Sequence, residues 1–421
     1  MEILNNYLSG KIMPTLLIVL GLIFAFKLKF FYILHPIKTL QTMLDNQHDG
    51  FKALTVALAG TLGVGNIVGV ASAITLGGAG SVFWMWISAF CAMSLKYAEV
   101  YLAMIFRKES MGQFYGGAPY YINEGLKPKI GQKWAYLLSL IFAMFCVINS
   151  LTTGNLVQIN SVSSLFPIPP LFFGIIFTLL AFLSISGGIA RISKVTSFLI
   201  PFLSITYVLI CLFVIISQFE LVPKTIVLII KDAFTLKSVE GGFCGYGISL
   251  ALRYGFSRGV LSNEAGCGTS PAAHASSKST DPHGQGCLGI FEVFFDTILL
   301  CTLTAIVILV SSPSTSTNPM TLVVSAFQQI MGDIGVIFII SLSVCFAFAT
   351  VICQYFYGIE ALGYISKRNF AKTFFTFIFC LISLIAAVIP MSLMWQISDF
   401  VISAMTITNL TCLVLLRKHF K

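Results

Sequence analysis

Charge is what this sequence has least of. Only 10% of its 421 residues are Asp, Glu, Lys or Arg, against about 25% in ordinary soluble domains. With 57% hydrophobic residues and a mean hydropathy of +0.93, that scarcity excludes a string of soluble domains. The formal net charge of +9 is no nucleic-acid signal, because the basic residues sit in loops, where their placement reports membrane topology; no nucleic-acid partner is expected. There is no CxxC and no His/Cys pair at ligand spacing. The 11 cysteines are scattered, mostly in apolar runs, and read as small buried hydrophobes, with no disulfide or transition-metal site expected. His35, His48, His274, His283 and His419 fall in loops or at the ends of apolar runs, so a membrane-embedded enzyme lacks the base or metal cluster it would need. Met1 to Pro14 has no basic segment followed by a short apolar core and a cleavage site, so the first helix is expected to be retained.

What the chain has instead is apolar sequence in bilayer-crossing lengths. Eleven spans can be drawn, at about 13–34, 51–77, 80–106, 134–159, 169–188, 194–217, 235–257, 284–311, 334–364, 370–391 and 394–416. Alternate loops, starting after the first span, hold twenty of the 25 Lys and Arg; the opposite side holds four (Lys11, Lys224, Lys231, Lys237), and Lys96 lies within a span. That bias predicts an odd span number, an outside N-terminus and a cytoplasmic C-terminus.

The organising stretch is GTLGVGNIVG, Gly60 to Gly69. Four glycines (Gly60, Gly63, Gly65, Gly69) and Asn66 fall in the middle of the second span, where a lipid-facing helix has no use for them. Unwound backbone survives at that depth only where protein buries it or a wet cavity is lined by it. The stretch reads as a broken helix whose free backbone groups suit a zwitterion and Na⁺; close helix packing is the competing reading. The seventh span repeats the signal with EGGFCGYG, Glu240 to Gly247. It lies five spans on, and five is odd, so the halves 51–217 and 218–416 would be inverted repeats, with residues 1–50 peripheral, in one membrane unit of 421 residues. Two discontinuous helices favour alternating access over a continuous pore.

Other polar residues at membrane depth are candidates. Asn155 and Gln158 in GNLVQIN must face inward; Gln158 suits either a substrate or a bond between helices. Thr350 and Gln354 share one face of the ninth span, where hydroxyls and carbonyls can serve Na⁺. Glu292 and Asp296, at i and i+4, need a base, a cation or a proton; Lys96, Arg253 and Arg258 are the available bases, and a salt-bridge network is the favoured expectation for both acids and for Asp399. The polar run from Arg253 to Pro282 reads as a capped re-entrant or interfacial turn, and Gln113 to Leu126 as an interfacial segment.

Taken together, these motifs resemble the alanine or glycine:cation symporter (AGCS) family of the amino acid–polyamine–cation superfamily. GTLGVGNIVGVASAITLGGAGSVFWMW with LKYAEVYLA, then GNLVQINS, then RGVLSNEAGCGTSPAAHA followed by QGCLGIFEVFFDTILLCTLTA, and finally WQISDFVISAMTITNL carry the resemblance nearly end to end. It implies an all-α polytopic fold with a LeuT-type 5+5 inverted repeat. It also implies uptake of a small neutral amino acid across a bacterial inner plasma membrane, with Na⁺ as coupling ion and no other cofactor; a proton-coupled permease on Glu292 or Asp296 is the near rival. Its partners would be the amino acid, Na⁺ and membrane lipid. The implied substrate contacts are Gly65, Asn66, Gln158, Gly241, Gly242 and Thr350, joined by Gln354, and the implied Na⁺ contacts are Gly63, Asn66 and Thr350. Two positions depart from the family pattern. Val64 stands where threonine is common, and Gln354 where a tryptophan is usual, which should enlarge the pocket and extend its range toward serine, threonine or glutamine.

Overall fold

A computed structural model describes residues 5, 7–45, 48–110, 112–235, 246–311 and 318–420. Apart from one short hairpin these residues are nearly all helical. Low charge and long apolar runs dictate this, since a chain in lipid must satisfy its own backbone groups. The first half holds α1 (Leu8–Lys27), α2 (Phe31–Leu34), α3 (Pro36–Asp45), α4 (His48–Thr61), α5 (Val64–Gly77) and α6 (Gly80–Ile105). The hairpin β1 (Lys108–Ser110) and β2 (Gln113–Tyr115) follows, then α7 (Ala118–Ile130), α8 (Gln132–Ser163), α9 (Pro170–Ile185) and α10 (Gly188–Ser217). Next come α11 (Val222–Ala233), α12 (Tyr246–Asn263), α13 (Pro271–Ala275), α14 (Pro282–Ser311), α15 (Pro319–Ile365), α16 (Asn369–Ala386) and α17 (Met391–Leu416).

Among the described residues seven helices are long and apolar enough to cross a membrane, and eight if the bent pair α4–α5 counts as one span. The protein is therefore a multi-pass membrane protein, and its surface agrees. On α10, Phe198, Phe202, Ile205, Leu209 and Ile216 are each more than half exposed, an apolar face that only lipid can cover. Its interior is the reverse, with Lys96, Glu99, Glu292 and Asp296 at 0% exposure.

Several elements differ from the expected spans. The first span ends at Lys27, because Lys29 and Phe30 turn the chain through the left-handed region (φ 53° and 49°). α11 carries only 12 residues and is strongly amphipathic, so a hydropathy reading passes over it. Asp232 near its end accepts from the Gly80 amide at 2.8 Å, satisfying one free donor at the start of α6. α15 is two helices joined at Gly332 (φ +64°), just before the expected start of the ninth span. The tyrosine-rich segment around Gln113 to Leu126 forms β2 and the start of α7. β1 is fastened to α7 by Lys108 and Glu124 at 2.7 Å, which holds the Glu124 carboxyl below the usual carboxylate range. EGGFCGYG falls almost entirely outside the described residues, Gly241 and Gly242 with it.

At the centre α6 packs against α12, α14 and α1. Gly21 of α1 lies so close to Cys91 that a Cβ there would come within 2.6 Å of the Cys91 Cβ. The charges on α6 set the register. Lys96 donates to Ser270 Oγ at 2.7 Å and to Glu292 Oε1 at 3.2 Å, and His274 sits between Gln285 (2.9 Å) and Glu292 (3.2 Å). Asn409 of α17 donates to Glu99 and to the Gly266 carbonyl, and accepts from Tyr121. Arg258 pairs with Asp399 at 3.0 Å and lies over the Trp395 ring. The salt-bridge expectation thus holds for Glu292 and Asp399.

Removing one partner of a wholly buried pair strands the other. Lys96→Met should lower stability by about 3–5 kcal/mol, read as a fall in the melting temperature of detergent-purified protein. Adding Glu292→Leu should restore part of the loss; a double variant less stable than the single one would show that the pair is not the source.

Candidate functional site

The site begins with the broken helix. α4 ends at Thr61 and α5 leaves at 60° to it. Gly63, at the join, is extended (φ −126°, ψ −153°), so the turn cannot continue through it. Breaking a helix frees carbonyls on one side and amides on the other, and in a dry interior each must find a partner. Side chains from other helices supply them. Gln158 of α8 accepts from the Val64 amide at 3.0 Å. Thr350 of α15 donates to the Leu62 carbonyl at 3.2 Å. Gln354, one turn further along, reaches the Gly60 carbonyl at 3.4 Å. Thr304 of α14 donates to the Asn66 carbonyl at 2.8 Å.

Gly63 is the point where α4–α5, α8 and α15 converge. A Cβ there would lie 2.6 Å from both Gln158 Oε1 and Thr350 Oγ1. Gln158, Thr350 and Gln354 are all buried, with Gln354 only 1% exposed. A local widening of α8 places Gln158. Its helix passes through a π-turn at Thr152–Leu156, and Gln158 Nε2 donates back to the Thr153 carbonyl at 3.3 Å. Asn155, in the same turn, donates to the Phe379 carbonyl and accepts from Ser383, so it serves as a bond between helices.

Asn66 turns away from this group. Its amide donates to Asp296 Oδ1 at 2.7 Å and to the Asp296 carbonyl at 3.1 Å. Ser262 and Thr297 each donate to Asp296 Oδ2 at 2.7 Å. The salt-bridge expectation therefore fails for Asp296. Its three side-chain donors are neutral, because the π-turn over Phe294–Cys301 swings it from the Glu292 side toward the break. Gly65 faces the Ser262 backbone, with a Cβ position 3.4 Å from Ser262 Cα. Of the sequence candidates, Gly63, Gln158, Thr350 and Gln354 are brought together; Asn66 and Gly65 face α12 and α14; Gly241 and Gly242 lie outside the described residues.

Two members were not singled out from sequence. Thr304 reads as one more helical threonine. Glu264 sits in the polar run after α12, a turn buried over residues 264–271. Glu264 itself is in the left-handed region (φ 49°), followed by Gly266 (φ 83°) and Gly268 (φ 75°). It accepts from Thr269 and, at 2.7 Å, from Gln354 Nε2. No periodicity rule would place that carboxylate beside the ninth span.

Space is distributed unevenly. A seam lined by Gly63, Asn66, Tyr207, Leu300 and Phe346 is too narrow for a water molecule. An open vestibule of about 240 Å³ lies beyond α4, walled by Lys52, Tyr115, Ser193, Lys278 and Glu360.

Comparison with known proteins identifies the family. The whole chain, residues 1–421, matches the sodium:alanine symporter family. It is 33% identical to the sodium/alanine symporter AgcS of Methanococcus maripaludis, over 98% of this chain and 93% of that protein. It is 32% identical to the probable sodium/glutamine symporter GlnT of Bacillus subtilis, over 99% of this chain and 87% of that protein. Among solved structures, a manganese transporter of Eremococcus coleocola shares the fold, with a TM-score of 0.51 at 13% identity over 86% of this chain and 76% of that one. The chain belongs to the sodium:alanine symporter family, and is a transporter rather than an enzyme.

Proposed function

We propose that this protein is a Na⁺-coupled symporter importing a small neutral amino acid by alternating access. The observation that carries the reading is the 60° break between α4 and α5, whose freed backbone groups converge with Gln158 and Thr350 at Gly63. Such a point offers carbonyls and a hydroxyl to a hard cation and amides to a carboxylate. Substrate contacts are assigned to Gly65, Asn66, Gln158, Thr350 and Gln354, with Gly241 and Gly242 from the opposite half, and Na⁺ contacts to Gly63, Asn66 and Thr350. Eleven spans, a LeuT-type 5+5 repeat with residues 1–50 peripheral, an outside N-terminus and a cytoplasmic C-terminus in the bacterial inner membrane complete the proposal. The vestibule then opens to the cytoplasm and the narrow seam seals the opposite route.

The relatives' names span alanine and glutamine, which supports a range reaching beyond alanine and glycine. Gln354 is the residue to which the wider range is assigned: its Nε2 is held by Glu264 and Gly60, while its Oε1 has no partner among the described residues. Glu292 is disfavoured as a proton carrier, because Lys96 and His274 already hold it.

A bound ligand stabilises by mass action, about 2.7 kcal/mol at a hundredfold excess over Kd. Alanine, glycine, serine or glutamine should raise the melting temperature of purified protein in Na⁺ but not in choline. Equal stabilisation without Na⁺ removes Na⁺ coupling, and no stabilisation by any amino acid removes the function. Asn66→Ala should leave the folded protein in the membrane and weaken apparent substrate affinity by roughly ten- to a hundredfold, since a hydrogen bond to a charged substrate group is worth about 1.5–3 kcal/mol; normal uptake would take Asn66 out of the site. Gln354→Trp should narrow the accepted range toward alanine and glycine, measured by competition with labelled alanine; an unchanged profile refutes the pocket assignment.

A further inference from the structure

Four carboxylates, Glu99, Glu264, Glu292 and Asp296, are buried within the bundle; of the two lysine or arginine side chains buried among the described residues, Arg258 pairs with Asp399 and Lys96 serves this group. Lys96 is committed to Glu292 and Ser270. Glu264 is left with two neutral donors, the Thr269 hydroxyl and the Gln354 amide. A buried carboxylate without a basic partner is costly unless it takes up a proton or a cation.

The surroundings of Glu264 favour a proton. Gln354 Nε2 donates both to Glu264 Oε1 and to the Gly60 carbonyl, so the amide already occupies the place between two oxygens that a metal cation would need. The other end of that amide, Oε1, is buried without a partner among the described residues. Thr269, the second donor, lines a cavity of about 20 Å³ together with Gly117, Tyr120, Tyr357 and Glu360. That volume takes one water and no more, too little for a hydrated Na⁺. Glu360, half-buried, lines this small cavity and the open vestibule alike. A hydroxyl, a one-water space and a second carboxylate therefore link Glu264 to the vestibule, and Gln354 links it to the broken helix.

From this arrangement, and given the symport reading above, we infer that Glu264 is a proton-carrying site that releases its proton to the vestibule, through Thr269 and Glu360, as substrate leaves. The proton on a Glu264 oxygen passes to Thr269 Oγ, which gives its own proton to a water in the cavity, which in turn protonates Glu360. Glu264 ends ionised, Thr269 is unchanged, and Glu360 loses the proton to the vestibule. The charged and titratable groups facing Glu264 are Lys96 from α6; Glu292 from α14, with His274 bonded to it; Cys353 and Tyr357 from α15; Cys146 from α8; and Cys267 on its own turn. The bond of Lys96 to Glu292 fixes its place beside Glu264.

The test uses the full chain in proteoliposomes containing a pH-sensitive dye, with labelled alanine and an inward Na⁺ gradient. Protons entering per alanine are counted, so that a slower variant is not mistaken for an uncoupled one. Wild-type protein should acidify the lumen in step with uptake. Glu264→Gln should lower protons per alanine at least about tenfold, and Glu264→Asp should recover part of it. Should Glu264→Gln fail to fold, Glu360→Gln on the vestibule wall should slow acidification relative to uptake. Alanine uptake with constant or rising lumen pH, or with protons per alanine the same in wild type, Glu264→Gln and Glu360→Gln, overturns the inference while leaving the symport reading intact. Absence of any amino-acid uptake by the wild type overturns both.

Discussion

A helix broken inside a membrane leaves backbone groups that water cannot reach, and this structure is arranged to satisfy them. Four polar side chains do so: Gln158 for the Val64 amide, Thr350 for the Leu62 carbonyl, Gln354 for the Gly60 carbonyl and Thr304 for the Asn66 carbonyl. They come from α8, α14 and α15, so the break dictates which helices stand around it and at what height. Each unmet group would cost several kcal/mol in lipid. The same bonds that permit the break therefore hold the bundle in register.

Two of these connections lead on to buried acids. Gln354 joins the end of α4 to Glu264, and Asn66 joins the start of α5 to Asp296. Each half of the broken helix is thus linked through a side-chain amide to one carboxylate with no ion pair among the described residues. A third, Glu292, is neutralised by Lys96 and fastens α6 to α14. Chemically similar acids are divided between holding the fold and serving the site according to where Lys96 reaches. The division depends on a helical detail: Glu292 precedes the π-turn of α14 and Asp296 lies within it, so their side chains diverge more than an i, i+4 spacing implies.

Much of this was legible in advance. The glycines of Gly60–Gly69 marked the break because glycine at membrane depth needs a local reason, and Gly63 has one: no Cβ fits between Gln158 and Thr350. Gln158 and Thr350 were legible as amide and hydroxyl groups in lipid-length helices, which must face inward. Asp296 was legible as an intramembrane acid but not as a neighbour of Asn66, 230 positions away, because a π-turn leaves no mark in hydropathy. Glu264 was illegible as a site, since its left-handed backbone and its reach to Gln354 arise from how α12 ends against α15. α11 escaped because its 12 residues are too few to read as a membrane span.

The sequence alone determined the class, the break and the family, because scarce charge, span-length apolar runs and misplaced glycines are properties of the linear chain. Only the tertiary structure decided which polar group meets which: that Gln354 bonds Glu264, that Asn66 bonds Asp296, and that Lys96 bonds Glu292. Those choices are made by helices crossing at particular heights and by three local departures from α geometry, at Thr152–Leu156, at Phe294–Cys301 and at Glu264. Periodicity fixes the face of a helix a residue occupies, but a partner on another helix is fixed only once the helices have packed.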